Sequence, residues 1–159
     1  MKKLFILLCL CLVVGSARAK VTLPAIFTDN MVLQQKTQVT LYGKAAAGKK
    51  MTVTTGWDHE QYRFHSDVEG NWSVRIPTPE AGGPFDIIIS DGKKITLRNI
   101  LIGEVWFCSG QSNMEMPVAG WGKVLNYEQE VAAADYPCIR LFQVKKATSL
   151  APAADVAST

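Results

Sequence analysis

Residues 100–113 constrain this chain more than any other stretch. Ile100-Leu-Ile-Gly-Glu-Val-Trp-Phe-Cys108 is almost continuously apolar, and it stops at Ser109-Gly-Gln-Ser-Asn113, five small or amide residues in a row. An unbroken apolar run predicts a strand buried on both faces of a parallel sheet, since one-sided sheets alternate apolar and polar positions. At its end Gly110 lets the backbone turn and leaves N–H groups unpaired. Ser112 then stands at the strand tip between the amides of Gln111 and Asn113. A hydroxyl presented beside free donors fits a nucleophile with its oxyanion hole. The same residues also fit an ordinary polar turn. Gly110-Gln-Ser-Asn-Met114 is not the Gly-x-Ser-x-Gly elbow of α/β-hydrolases, because Met114 takes the last position.

Upstream, residues 20–98 read as an all-β sandwich domain. Met51 and Val53 alternate with Thr52 and Thr54, and Trp72, Val74 and Ile76 alternate with Ser73 and Arg75, the period of half-buried strands. Asp91-Gly92 separates two such runs as a hairpin signal, and Glu69-Gly-Asn71 separates two more. Downstream, Leu125 to Ala134 predicts a helix that Asn126 could cap and Pro137 stops, and Ile139 to Val144 predicts another strand. Strand, helix, strand is a βαβ unit. Residues 99–159 therefore read as the start of an α/β domain, too short for a complete one and so truncated within it.

The first 19 residues are of another kind. Lys2 and Lys3 precede an apolar run from Leu4 to Val14, and Ala17-Arg-Ala19 supplies a small-residue cleavage site, the pattern of a secretory signal peptide. The apolar run is short for the roughly 20 residues a membrane anchor needs, and no later segment could span a bilayer. The expected location is secreted or periplasmic. Of the 17 Lys and Arg, three leave with the signal, so 14 basic residues face 14 acidic ones. A near-neutral mature chain gives no electrostatic footprint for nucleic acid, and nothing in it selects an oligomeric state. Cys108 and Cys138 remain and read as free, buried thiols in apolar surroundings. There is no Cys/His spacing for a metal and no cofactor motif.

Three separated segments carry a resemblance. Leu101-Ile-Gly-Glu-Val-Trp-Phe-Cys-Ser-Gly-Gln-Ser-Asn-Met-Glu-Met-Pro-Val118 resembles the signature of the sialate O-acetylesterase family of carbohydrate esterases, within the SGNH-hydrolase superfamily. Leu23-Pro-Ala-Ile-Phe-Thr-Asp-Asn-Met-Val-Leu-Gln-Gln35 resembles that family's opening segment. Gly70-Asn-Trp-Ser-Val-Arg-Ile-Pro77 and Ala81-Gly-Gly-Pro84 resemble its middle. The resemblance implies a β-sandwich ahead of an SGNH, flavodoxin-like α/β hydrolase domain, and an acetylated sugar as substrate. It implies Ser112 as the nucleophile, with its backbone N–H in the oxyanion hole and Gln111 and Asn113 shaping the site. It also implies a catalytic histidine near the far end of the hydrolase domain. No histidine follows Ser112 here, and His59 and His65 read as surface residues of the β-rich part. The expectation is an N-terminal portion of an esterase, nearly inactive alone because a triad without its base loses several orders of magnitude in rate.

Of the four tryptophans, Trp72 and Trp106 read as core, and Trp121 in Gly120-Trp-Gly122 is the candidate for lining a substrate cleft. Glu104 reads as a structural partner. The reading from a different class is a non-catalytic extracellular module, whose β-sandwich binds glycans or braces a partner domain.

Overall fold

The structure, a computed structural model, describes residues 20–122 and 124–158. The signal peptide expected at 1–19 lies outside them. Seven strands form the β-rich part: β1 (Val32–Gln34), β2 (Gln38–Lys44), β3 (Lys50–Thr55), β4 (Gln61–His65), β5 (Asn71–Pro77), β6 (Gly82–Ser90) and β7 (Lys94–Gly103). One sheet has the order β1-β7-β6-β3-β4, and β2 pairs with β5 in a second, two-stranded sheet. Every pairing is antiparallel except that of β1 with β7.

The alternation read from the sequence is what buries one face of each strand. Met51, Val53 and Thr55 of β3, Ile87 and Ile89 of β6, and Leu97, Ile100 and Ile102 of β7 point into one core, together with Leu41, Trp72 and Ile76 from the smaller sheet. Burying each such aliphatic side chain is worth about 1.5–3 kcal/mol. The turns also follow the expected residues. Asp67 Oδ1 accepts from the backbone N–H of Glu69 and of Asn71, and Gly70 turns at φ +83. The β6–β7 hairpin pairs Ser90 with Lys94, so its connection is the three residues 91–93 rather than Asp91-Gly92 alone.

β7 is where expectation and structure part. It begins at Lys94 and ends at Gly103, passing without a break through the expected division at 98/99. Between the pairs Ile87↔Leu97 and Phe85↔Ile100 it carries one residue more than β6. Asn99, at φ +57, absorbs that residue as a bulge. The bulge shifts the pleat, so Leu97, Ile100 and Ile102 all face inward despite their uneven spacing. The unbroken apolar run is therefore partly a bulged antiparallel strand. It has one parallel neighbour, β1, and is not enclosed on both faces.

Beyond Gly103 the expected strand does not continue. Val105, Trp106 and Phe107 are exposed, Trp106 at 84%, which corrects its reading as core. Cys108 and Cys138 are free as expected but exposed rather than buried. The expected helix forms as α1 (Tyr127–Ala133) and buries no side chain; Asn126 occupies the N-cap position but does not cap through its side chain, whose Nδ2 donates to Glu130 Oε1 at 2.7 Å. Residues 139–144 form no strand; Val144 makes only an isolated bridge to Ser158. The start of an α/β domain is thus not formed among the described residues. A strand enclosed on both faces needs strands beside it and helices over it, and residues 104–158 supply one short, exposed helix.

Candidate active site

Ser112 opens a single 3-10 turn, Ser112–Glu115, closed by Met114 N–H donating to Gln111 O at 2.9 Å and Met116 N–H to Asn113 O at 3.3 Å. The turn forms because Gln111 stays extended, at φ −90 and ψ −156, before the chain curls. Gly110 permits the close return of Met114, whose Cγ would lie 2.8 Å from a Cβ at position 110. All of residues 109–116 are exposed. The Ser112 hydroxyl and the side-chain amides of Gln111 and Asn113 have no hydrogen-bond partner among the described residues. The hydroxyl is thus uncovered, but it stands nine residues beyond the end of β7 and not at the strand tip the sequence predicts, because the strand stops at Gly103. Ser112, Gln111 and Asn113 share one turn, but no base stands beside them.

Trp121 sits 70% exposed at the tip of a second loop, closed by Val124 N–H donating to Val118 O at 3.0 Å. Gly122 abuts Met116 so closely that a Cβ there would overlap the Met116 side chain, with 1.8 Å to Cγ. The Trp121 loop is therefore held against the end of the Ser112 turn. The two histidines stand apart from this region in the fold. His59 lies in the β3–β4 connection at φ +60, and His65 is exposed on β4, as expected of surface residues. No group of three or more His, Cys, Asp or Glu that could hold a metal occurs among the described residues.

The residues that fix the approach to Ser112 were not singled out by sequence reasoning, apart from Glu104. Both oxygens of Glu104 are engaged, by Gln34 Nε2 at 3.0 Å and Gln35 Nε2 at 2.7 Å. These donors, Gln34 foremost, hold its carboxyl below the usual carboxylate range. Gln34 Oε1 accepts from Val105 N–H at 2.8 Å. Glu104 is the structural partner it was read to be. The signal for its partners lay in the segment ending Leu33-Gln-Gln35, which carried a resemblance and no assigned role.

A separate cleft of about 710 Å³ lies over the β2–β5 sheet, lined among others by Tyr42, Lys44, His65, Asn71, Trp72 and Asp155. Tyr42 is 44% exposed there, and its ring meets that of Phe27 edge-on at 5.1 Å. Ser112 is not part of this cleft.

Comparison with known proteins decides the relationship. Rat sialate O-acetylesterase is 34% identical over 132 residues, which span 76% of this chain. The chain is a homologue of the sialate O-acetylesterases. The human sialate O-acetylesterase is 33% identical over 130 residues, 73% of this chain. In both alignments the chain spans 24% of the relative's length. Among solved structures, a carbohydrate acetylesterase from Xanthomonas citri superposes with a TM-score of 0.77 at 32% identity, covering 87% of this chain and 31% of that one. No family model matches the chain. Its relatives are esterases, and the mostly-β architecture is that of an esterase neighbour. No helix among the described residues is long and apolar enough to cross a membrane.

Proposed function

We propose that this chain belongs to an exported carbohydrate esterase that removes O-acetyl groups from sialic acids or related acetylated sugars. The observation that carries the reading is the exposed Ser112 hydroxyl, unpartnered on a turn of its own nine residues after β7. In this mechanism Ser112 Oγ attacks the acetyl carbonyl carbon as its proton passes to a histidine other than His59 and His65, supplied by a part of the esterase outside the described residues. The tetrahedral oxyanion is met by the Ser112 backbone N–H, with Gln111 and Asn113 beside it. Collapse breaks the bond to the sugar oxygen, which takes the proton from the histidine and leaves as the free hydroxyl. Water then hydrolyses the acetyl-enzyme by the same route in reverse order of proton transfers. The residues through Gly103 form the β-rich brace, and those after it belong to the hydrolase unit. Trp121, on the loop held against the Ser112 turn, offers its indole to the sugar ring.

The test is covalent trapping. In the complete esterase, with its histidine present, a fluorophosphonate probe should modify Ser112, mapped by peptide mass spectrometry, and Ser112→Ala should abolish both labelling and the release of acetate from an O-acetylated sialoside. Acetate release that survives Ser112→Ala removes the serine mechanism. Export is tested by N-terminal sequencing of the protein recovered outside the cytoplasm, which should begin at Lys20.

The cleft at Tyr42 favours a second reading, a glycan-binding module. Its polar fringe and exposed aromatic ring suit a pyranose. Titration calorimetry separates the two: saturable sugar binding lost in Tyr42→Ala and kept in Ser112→Ala would favour the module.

A further inference from the structure

We infer that the sheet edge formed by β1 and β7 is a positioning device for the Ser112 loop, tying down both ends of the segment 104–140 that carries it. The inference rests on the reading of Ser112 as nucleophile. β1 is only about 10 Å long, yet the glutamines at its C-terminal end hold one stem of a segment of more than thirty residues, and Asn99 of the adjacent β7, beside Met31, holds the other.

At the C-terminal end of β1 the leaving stem is fixed. Gln35 N–H donates to Gly103 O at 2.8 Å. The two glutamine amides then clamp the Glu104 carboxylate, and Gln34 Oε1 turns back to accept from Val105 N–H. Gln35 spends its remaining oxygen on Ala81 N–H at 2.9 Å, which ties the clamp to the start of β6. At the N-terminal end the returning stem is fixed by Arg140. Its Nη2 donates to Asn99 Oδ1 at 3.0 Å, and its Nη1 reaches Asn99 O and, at 3.4 Å, Met31 O. Asn99 is the bulge residue of β7, and its Nδ2 donates to Asn30 Oδ1 at 2.6 Å. The opening segment ending at Gln35 and the segment around Ser112, far apart in sequence, meet at this one edge.

Burial does not do this positioning. Trp106, Phe107 and Leu141 are more than four-fifths exposed, and α1 has no buried residue. The direction in which the chain leaves β7 is instead set by directional, partly charge-assisted hydrogen bonds. That direction matters for catalysis, since a nucleophile misplaced by about 1 Å can lose on the order of 100-fold in rate. Gln34, Gln35 and Arg140 are positioning residues in this sense; none touches the reacting atoms.

Hydrogen exchange read by mass spectrometry on the mature chain tests the inference. Gln34→Ala and Arg140→Ala should each speed exchange across residues 104–116 by about fivefold or more, the factor one lost hydrogen bond is worth, with the amides of β3 and β6 unchanged. Gln34→Glu sets a second carboxylate against Glu104 and should loosen the stem. Adding Glu104→Gln to that variant restores a donor and acceptor pair and should return exchange to the parent level. In fluorophosphonate labelling of the complete esterase, the first-order inactivation constant should fall roughly 10–100-fold in Gln34→Ala with little change in the inhibitor's binding constant. The double substitution should recover it. Unchanged exchange at 104–116, or acceleration that spreads equally into β3 and β6, overturns the inference. Absence of any label on Ser112 in the complete esterase, which supplies the histidine, overturns the nucleophile reading instead, and the exchange result then still decides the clamp.

Discussion

Gly43 faces Trp72 directly across the β2–β5 ladder, and the indole lies where a side chain at position 43 would stand. A Cβ there would come within 2.4 Å of Thr22 O and 2.9 Å of Trp72 Cζ2. Thr22 is itself fixed by paired backbone hydrogen bonds with Lys44, at 2.9 Å each. Neither neighbour can yield, so Gly43→Ala should destabilise the β-rich part by about 1–3 kcal/mol, the cost of overpacking. Chemical denaturation of the purified chain would show a lower midpoint at unchanged slope; an unchanged midpoint would mean that the two strands separate easily.

Ile100 is fully buried just after the Asn99 bulge. Ile100→Ala should cost about 2–5 kcal/mol, the transfer and cavity terms together. A loss below about 1 kcal/mol, the level of surface substitutions, would show that the bulge does not turn Ile100 inward.

The Glu104 carboxyl is held below its ordinary range by Gln34 first and Gln35 second. A group whose folded pKa is depressed contributes its full stabilisation above its unfolded value, about 4.3 for Glu, and loses it as the pH falls through the lower folded value. Docking of the stem at Val105 should therefore persist through mildly acidic pH and loosen only below the usual carboxylate range. Carbon-detected NMR titration of Glu104 should give a midpoint below the peptide value that moves back up in Gln34→Ala. A midpoint indifferent to Gln34 would contradict the geometry.

Cys108 and Cys138 are exposed and unbonded. Both should react with an aromatic disulfide reagent in the folded mature chain, at two thiols per molecule without denaturant. Protection of either until denaturant is added would show that its segment is covered in solution.

The strands were legible where one rule sufficed. Alternation located β3 and β5, and Asp91-Gly92 located the β6–β7 turn. The run after Ile100 was harder, because a bulged one-sided strand and a strand enclosed on both faces produce the same letters. Asn99 is the only local mark of the difference, and asparagine has many other uses. Trp106 and Cys108 were misread for the same reason: apolar composition reports a tendency to be covered, but the covering elements are not among the described residues. At the candidate site, the Ser112 turn followed from Gly110 and the amides around it. The partnership of Gln34 with Glu104 spans 70 positions, and Arg140 reaches Asn99 across 41. No periodicity records contacts at that range.

The pairing of Leu33 with Ile102 has a consequence for biosynthesis. β1 leaves the ribosome well before β7, its one partner among the described residues, exists. At about 5–20 residues per second, the 69-residue gap between these partners amounts to roughly 3–14 s of waiting. Through that interval Val32 and Leu33 offer an unclaimed strand edge to any neighbouring chain, and a chaperone that shields nascent β edges would be most needed then.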